Sequence, residues 1–424
     1  MEAQAPILSS KTSSVSKRED IQAVRGIATV LLLLFHLQPK LFTLGFVGVD
    51  MFFVLTGFFT ATVLADQECT LKTIQKFYLR RFKRIVPIYF ISLLVIFLGS
   101  AYILLPEDKD QLLVDYKWSL SFTSNFQSFF EEKGFWEQVL SSRFLTHTWS
   151  IGIQFQFFLL APFVLQTSNR FSFAMRSVFY GALIFASLVF QLFTNSSLSH
   201  NLLPSRLWQF IIGAMCFHKE NQTDKVLPET EAILKKESKE LVEESSGSPK
   251  SLFIEFGIMM MIVVVLFNPD SFLSESLMRL LSCTITALMI RFPSTISIFT
   301  GDKFLASLGD ISYSLYLVNW PIIVGAKYYF NITTFTFQET ALAAGVILSV
   351  AIVFHFSIEK PVSSFPTSVS MVICAICLLV ILILGPYWST CCRVEVPLSE
   401  EEVQSLRQVL GLSYDFDNYD TLKL

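Results

Sequence analysis

Charge is scarce in this chain. Of its 424 residues 16% are Asp, Glu, Lys or Arg and 52% are hydrophobic, with a mean hydropathy of +0.54. That balance excludes an ordinary soluble domain, and the long uncharged runs imply a polytopic membrane protein. A basic stripe is missing as well. The net charge is −3, and the Lys and Arg residues gather beside apolar segments, which argues against nucleic acid as a partner. The seven cysteines are scattered, mostly within apolar segments, so no disulfide framework is expected. Cys374 and Cys377 have CxxC spacing but lie in a continuous apolar run, where helix packing outweighs redox or metal chemistry. No metal site is expected. No small-residue cleavage site follows the first apolar segment, which is therefore a retained helix rather than a signal peptide. The two halves show no repeat, which weighs against a transporter built from repeats.

What is present is a series of apolar windows. They fall near 21–38, 45–65, 85–105, 148–166, 176–194, 202–218, 252–268, 274–291, 304–325, 339–357 and 368–388, predicting an all-α polytopic membrane protein with about ten or eleven transmembrane helices. Lys11, Lys17 and Arg18 precede the first window, and six further cations lie between the second and third. The positive-inside rule then puts the N-terminal tail (1–17) and the 219–250 linker in the cytoplasm. It puts the 106–147 loop, the 195–201 turn, the 326–338 loop and the polar tail (391–424) outside. Asn195 and Asn331 head glycosylation sequons on outside loops, while the sequon at Asn221 lies inside and is expected to stay unmodified. The N-terminus is expected in the cytoplasm of an endomembrane or plasma-membrane protein.

Ionisable groups inside apolar runs are costly and mark sites by default. Arg25 and His36 interrupt the first run, and Asp50 precedes Met51–Leu55. Arg25 and His36 are eleven positions apart, so they return to within about 20° of one another on a helix, about 16 Å apart along its axis. Asp50 is either a cap, an arginine partner or a direct participant. Arg80, Arg81 and Arg84 occupy neighbouring turns at a helix entrance. They serve either as a membrane-surface signal and headgroup anchor or as a grip on phosphate groups. Pro87 is expected to break that helix. His147, His200, His218 and His355 fall near span ends and are expected to be interfacial. Trp149, Trp208 and Trp320 suit packing or interface anchoring better than substrate stacking.

At these residues the chain resembles the membrane acyltransferase family 3, from about residue 18 to 390. The Arg25 and His36 pair matches the opening signature of that family. GFVGVDMFFVLTGF matches through Gly45, Gly48, Asp50, Phe52, Phe53 and Gly57, and YLRRFKRIVPIY through Arg80, Arg81, Arg84 and Pro87. His147 to Ser150, Arg206 with Trp208, the LGDISYSLYLVNWP element, Asn125, and Glu359 with Pro361 follow in order. The resemblance implies a cytoplasmic acyl-CoA donor, no metal or prosthetic group, and a membrane lipid or carbohydrate acceptor whose identity stays open. It makes His36 the general base, with Arg25 and Asp50 in the catalytic group. Arg80, Arg81, Arg84, Trp149, Ser150, Gln154, Arg206, Tyr313, Tyr316 and Asn319 become substrate-binding residues. Many members carry a further extracytoplasmic hydrolase-like domain, whose Gly-Asp-Ser element is not found here.

Three positions depart from the family pattern. Gln154 stands where a Glu is usual, Asn319 where a His is common, and Thr56 where a Ser is usual. Gln cannot take a proton or neutralise an imidazolium. Two readings follow: an active O-acyltransferase, or a catalytically impaired member that binds acyl-CoA, lipid or a partner protein.

Overall fold

The computed structural model describes residues 18–64, 70–130, 143–194, 196–218, 275–292 and 303–390. Within them every regular element is helical. In order they are α1 (Glu19–Leu37), α2 (Val47–Leu64), α3 (Leu71–Ile103), α4 (Pro106–Leu120), α5 (Ser124–Phe130), α6 (Trp149–Asn169), α7 (Phe173–Phe193), α8 (Ser196–Asn201), α9 (Leu203–His218), α10 (Glu275–Arg291), α11 (Lys303–Asp310), α12 (Ser312–Phe330), α13 (Phe337–Phe354), α14 (Lys360–Ser364) and α15 (Thr367–Thr390). A 3₁₀ turn at Thr146–Thr148 leads into α6, and a π turn at His355–Glu359 joins α13 to α14.

Among the described residues seven helical stretches are long and apolar enough to cross a membrane: α1, α2, α3, α6 with its 3₁₀ turn, α7, α13 through α14, and α15. The windows at 202–218 and 274–291 form shorter helices of 16 and 17 residues. The window at 304–325 divides at Ile311 into α11 and α12. The 252–268 window, the 219–250 linker, the terminal tails and Asn195 lie outside the described residues. The chain is thus an all-α, multi-pass membrane protein.

Burial sorts the helices. Within their apolar windows α2 is 78% buried and α1 67%, against 11% for α7 and 17% for α13. The first pair forms the centre, and the second turns side chains such as Phe185 and Val353 outward, as lipid-facing helices do. One core cluster joins α1, α2, α9 and α10 through residues such as Leu31, Val54, Trp208 and Met278. A second joins α3, α4, α12 and α15, and includes Cys374 and Cys377, which pack as apolar side chains.

Glycines set the closest crossings. A Cβ on Gly57 would lie 1.9 Å from the Phe210 carbonyl oxygen, and one on Gly213 1.9 Å from that of Val54, so α2 and α9 touch backbone to backbone. Gly309 meets the Gln22 carbonyl at 1.9 Å in the same way and holds α11 on α1. Without a hydrophobic drive between helices in lipid, such small-residue contacts determine which helices associate. Gly57→Val is therefore expected to destabilise the protein by about 1–3 kcal/mol, read as a lower melting temperature of the solubilised protein. An unchanged melting temperature would contradict this crossing.

Two expectations are corrected here. Pro87 does not break its helix, since α3 runs unbroken for 33 residues through it. Ending the helix there would leave several backbone groups unbonded in an apolar setting, whereas proline removes one. The 106–147 segment is not a simple loop, because α4 and α5 occupy much of it and bury Asp115 against Arg143 at 3.4 Å. Asn331 is exposed, in the left-handed conformation that closes α12 (φ 51°).

Candidate active site

Two cavities lie beside α1, and Val49 of α2 lines both. The first measures about 140 Å³. Arg25 enters it from α1 and Arg81 and Arg84 from α3, three positions apart and therefore on one side of that helix. Arg25 donates to Gln22 Oε1 (2.9 Å) and Ser312 Oγ (2.6 Å). Arg81 donates to the Phe59 carbonyl at 3.0 Å and lies over the Phe77 and Phe158 rings at 5.5 and 5.0 Å, the range of cation–π attraction. Among the described residues no carboxylate lines this cavity. Three guanidiniums facing an aromatic wall suit a ligand with anionic oxygens at one end and an apolar or ring portion at the other. Arg80 does not join them. It lines an outer cleft with Lys76 and Lys83 on the adjoining side of α3, about 100° around the helix from Arg81.

The second cavity is smaller, about 40 Å³, enough for about three waters or one small polar group. His36, His147, His200, Asp50, Arg206 and Arg279 bring its chemistry, with Trp149 and Trp320 as walls. His36 Nδ1 is 2.9 Å from Asn319 Oδ1. With that oxygen accepting, Nδ1 carries the proton and Nε2 is left as the basic nitrogen. The Trp320 ring stands edge-on to the imidazole at 5.0 Å, and its indole N–H is tied to the Arg143 carbonyl at 2.8 Å. His200 differs. Its Nδ1 accepts from Arg206 and Arg279 at 3.1 and 3.2 Å, so that lone pair is already used.

Asp50 lies at the base of this cavity, one oxygen accepting from Arg206 (3.0 Å) and Gln209 (2.9 Å). Among the described residues its hydrogen-bond partners are on α9, whereas His36 Nδ1 is held by Asn319. Arg206 lines the cavity too, its Nε donating to the His200 carbonyl and its guanidinium 5.9 Å from the Trp149 ring.

A chain of hydroxyls joins the two cavities. Tyr316 donates to the His147 carbonyl in a short hydrogen bond, so Ser150 Oγ, 2.6 Å away, donates to Tyr316. Tyr313 closes the first cavity on α3, donating to the Ile85 carbonyl at 2.9 Å. Gln154 lines the first cavity and donates to Thr56 Oγ1 at 2.8 Å, so two of the three departures from the family pattern bond one another. Asn125 supports this region from behind, its amide donating to the Asn201 carbonyl. Glu359 lies outside both cavities, bonded to Ser314 and, at 2.9 Å, to His355.

His147 and His200, expected near the membrane interface, are buried within the protein beside His36, at 5% and 8% exposure. Their positions near helix ends hid this, since the 3₁₀ turn and α8 fold those ends inward. Arg279 was missed altogether. Its signal was an arginine in the middle of an apolar window, the same feature that singled out Arg25. The residues expected to bind substrate are thus divided, with Arg81, Arg84, Ser150, Gln154, Tyr313 and Tyr316 around the first cavity beside Arg25 of the expected catalytic group, Arg80 on the outer surface of α3, Trp149 and Arg206 around the second cavity, and Asn319 behind His36.

The chain is 27% identical over 342 residues to "Putative membrane-bound transacylase BcsY" of Komagataeibacter xylinus, covering 80% of each protein. It is 23% identical over 322 residues to a "Putative O-acetyltransferase" of Staphylococcus aureus, covering 72% of this chain and about half the length, 50%, of that relative. Over 144 residues, 34% of this chain and 23% of the relative, it is 29% identical to "Peptidoglycan O-acetyltransferase OatA" of Listeria monocytogenes. No solved structure matches. The family model described as "Acyltransferase domain" matches residues 18–388, which takes in both cavities and nearly every described helix, and the chain belongs to that family of membrane acyltransferases.

Proposed function

We propose that this protein moves an acyl group from a cytoplasmic acyl-CoA to a hydroxyl of a lipid or carbohydrate. The observation that carries the reading is the pairing of a carboxylate-free cavity holding Arg25, Arg81 and Arg84 with a second cavity holding His36. The three guanidiniums take the donor's phosphates. Its pantetheine arm then runs along α1 toward His36, a rise of about 16 Å over eleven positions. The acceptor hydroxyl enters the second cavity, and its oxygen attacks the thioester carbonyl while His36 Nε2 removes its proton. The C–O bond forms, the C–S bond breaks, the CoA thiolate leaves, and the imidazolium returns the proton to it. Asn319 holds the imidazole in the tautomer this requires. The N-terminus is cytoplasmic in this reading, and the glycans at Asn195 and Asn331 are on the far side.

The second reading, a catalytically impaired member, rests on Gln154. In the fold Gln154 bonds Thr56 in the first cavity, and no contact joins it to His36, whose partner is Asn319. Loss of a carboxylate at 154 therefore leaves the base and its orienting group in place. Labelled acetyl-CoA and one long-chain acyl-CoA, offered to the purified protein and to Gln154→Glu, test this. Turnover by the natural chain, changed less than about tenfold by Gln154→Glu, is expected, far below the roughly 10⁴-fold cost of losing a carboxylate that orients a catalytic His. Binding without turnover, rescued by Gln154→Glu, would establish the impaired enzyme.

A further inference from the structure

The basic segment before the third span serves two faces of one helix, and the proposed function uses only one of them. Arg81 and Arg84 face the first cavity. Lys72, Lys76, Arg80 and Lys83 line instead an outer cleft of about 330 Å³, together with Leu79 and with Thr367 at the start of α15. At about 100° per residue the side chains of these four fall within an arc of about 80°, and Arg81 lies about 160° from Lys83. None of the four has an acidic partner among the described residues. Four like charges gathered around one cleft repel one another, and a surface that keeps them together without a counter-charge among the described residues is matched to an anion supplied from outside.

Where this cleft sits follows from the length of α3. Its 33 residues extend about 50 Å, about 20 Å more than a hydrocarbon core of about 30 Å. Residues 85–103 carry no Asp, Glu, Lys or Arg, and they alone span about 28 Å. The excess is thus the first fourteen or so residues, where all the cations lie, and it projects into the headgroup layer. Lys83 lies nearest the hydrocarbon edge. Beyond the cations, Leu98 of α3 (46% exposed) and Met371 of α15 (49% exposed) offer apolar surface that an acyl chain covers. An occupant must therefore be anionic at the cleft and apolar along the helices.

We infer that the cleft between the start of α3 and the start of α15 is a binding site for an anionic phospholipid, distinct from the cavity that holds Arg25, Arg81 and Arg84. The phosphate and any further anionic group of the lipid sit among Lys72, Lys76, Arg80 and Lys83, with its chains along α3 and α15. One bound lipid at this place ties the two helices together at their membrane entry, beside the wall of the first cavity.

The test uses the purified full chain in micelles doped with equal amounts of phosphatidylserine and phosphatidylcholine, with retained lipids counted by native mass spectrometry. Retention of phosphatidylserine over phosphatidylcholine by about tenfold or more is expected, since each cation near an anionic surface contributes on the order of 1 kcal/mol. The Lys72→Gln/Lys76→Gln/Arg80→Gln/Lys83→Gln variant is expected to lose that preference, and Arg81→Gln, on the other face, to keep it. Raising salt from about 0.1 M to about 0.5 M must also weaken the preference of the unmodified protein, a measurement independent of whether the fourfold variant folds. Equal retention of the two lipids, a preference that survives the fourfold variant, or one that ignores salt would overturn the proposal. Displacement of phosphatidylserine by millimolar inorganic phosphate alone would replace it with a free-anion site.

Discussion

His36→Ala is expected to lower acyl transfer by about 10²–10⁴-fold, the range contributed by a positioned general base, while the protein stays folded and inserted. Among the described residues the imidazole makes one side-chain hydrogen bond, to Asn319, and packs edge-on against Trp320. Its removal opens a small space beside a cavity that already exists, and strands no charge. The guanidiniums proposed to hold the donor line the other cavity, so the KM for acyl-CoA should change little and kcat should carry the loss. Single-turnover transfer with labelled donor separates these terms. A loss below about tenfold would remove His36 from the role of base and move attention to His147, the other imidazole on the same cavity whose lone pairs are not held by arginines.

Asp50→Ala is expected to act through stability, by about 3–5 kcal/mol. The Asp50 and Arg206 side chains are 3% and 1% exposed and meet at 3.0 Å. Removing the carboxylate leaves Arg206 buried beside Arg279 and His200 without its paired counter-charge, and also releases the Gln209 amide. A buried guanidinium without its counter-charge has lost the interaction that offset its desolvation. Thermal inactivation of the solubilised protein should show the effect with or without substrate. The double variant Asp50→Ala/Arg206→Met should melt above Asp50→Ala alone, since it removes the stranded charge. If instead Asp50→Ala melts like the unmodified protein but does not transfer acyl groups, Asp50 acts on the substrate directly and the pair is not structural.

The sequence by itself determined the class of fold and pointed to many of the polar residues that line the two cavities. Charge scarcity and apolar runs of membrane length demand helices that satisfy their own backbone groups, and this requirement is local. Costly residues in such runs, Arg25, His36 and Asp50, stand out for the same reason, and the ordered motifs named their companions. Motif glycines were legible too, although their reason, backbone contact at Gly57 and Gly309, was not. The tertiary structure alone decided how these residues are shared out. It separated Arg80 from Arg81 and Arg84, assigned Arg25 and His36 to different cavities, and set Asn319 on His36 across 283 positions of chain. It also buried His147 and His200, joined Asp50 to Arg206 across 156 positions, and carried α3 through Pro87. Helical periodicity states which residues share a face but not which neighbour that face meets. The neighbour is chosen by close backbone crossings and by the pairing of buried charges, and both exist only once distant segments are packed together.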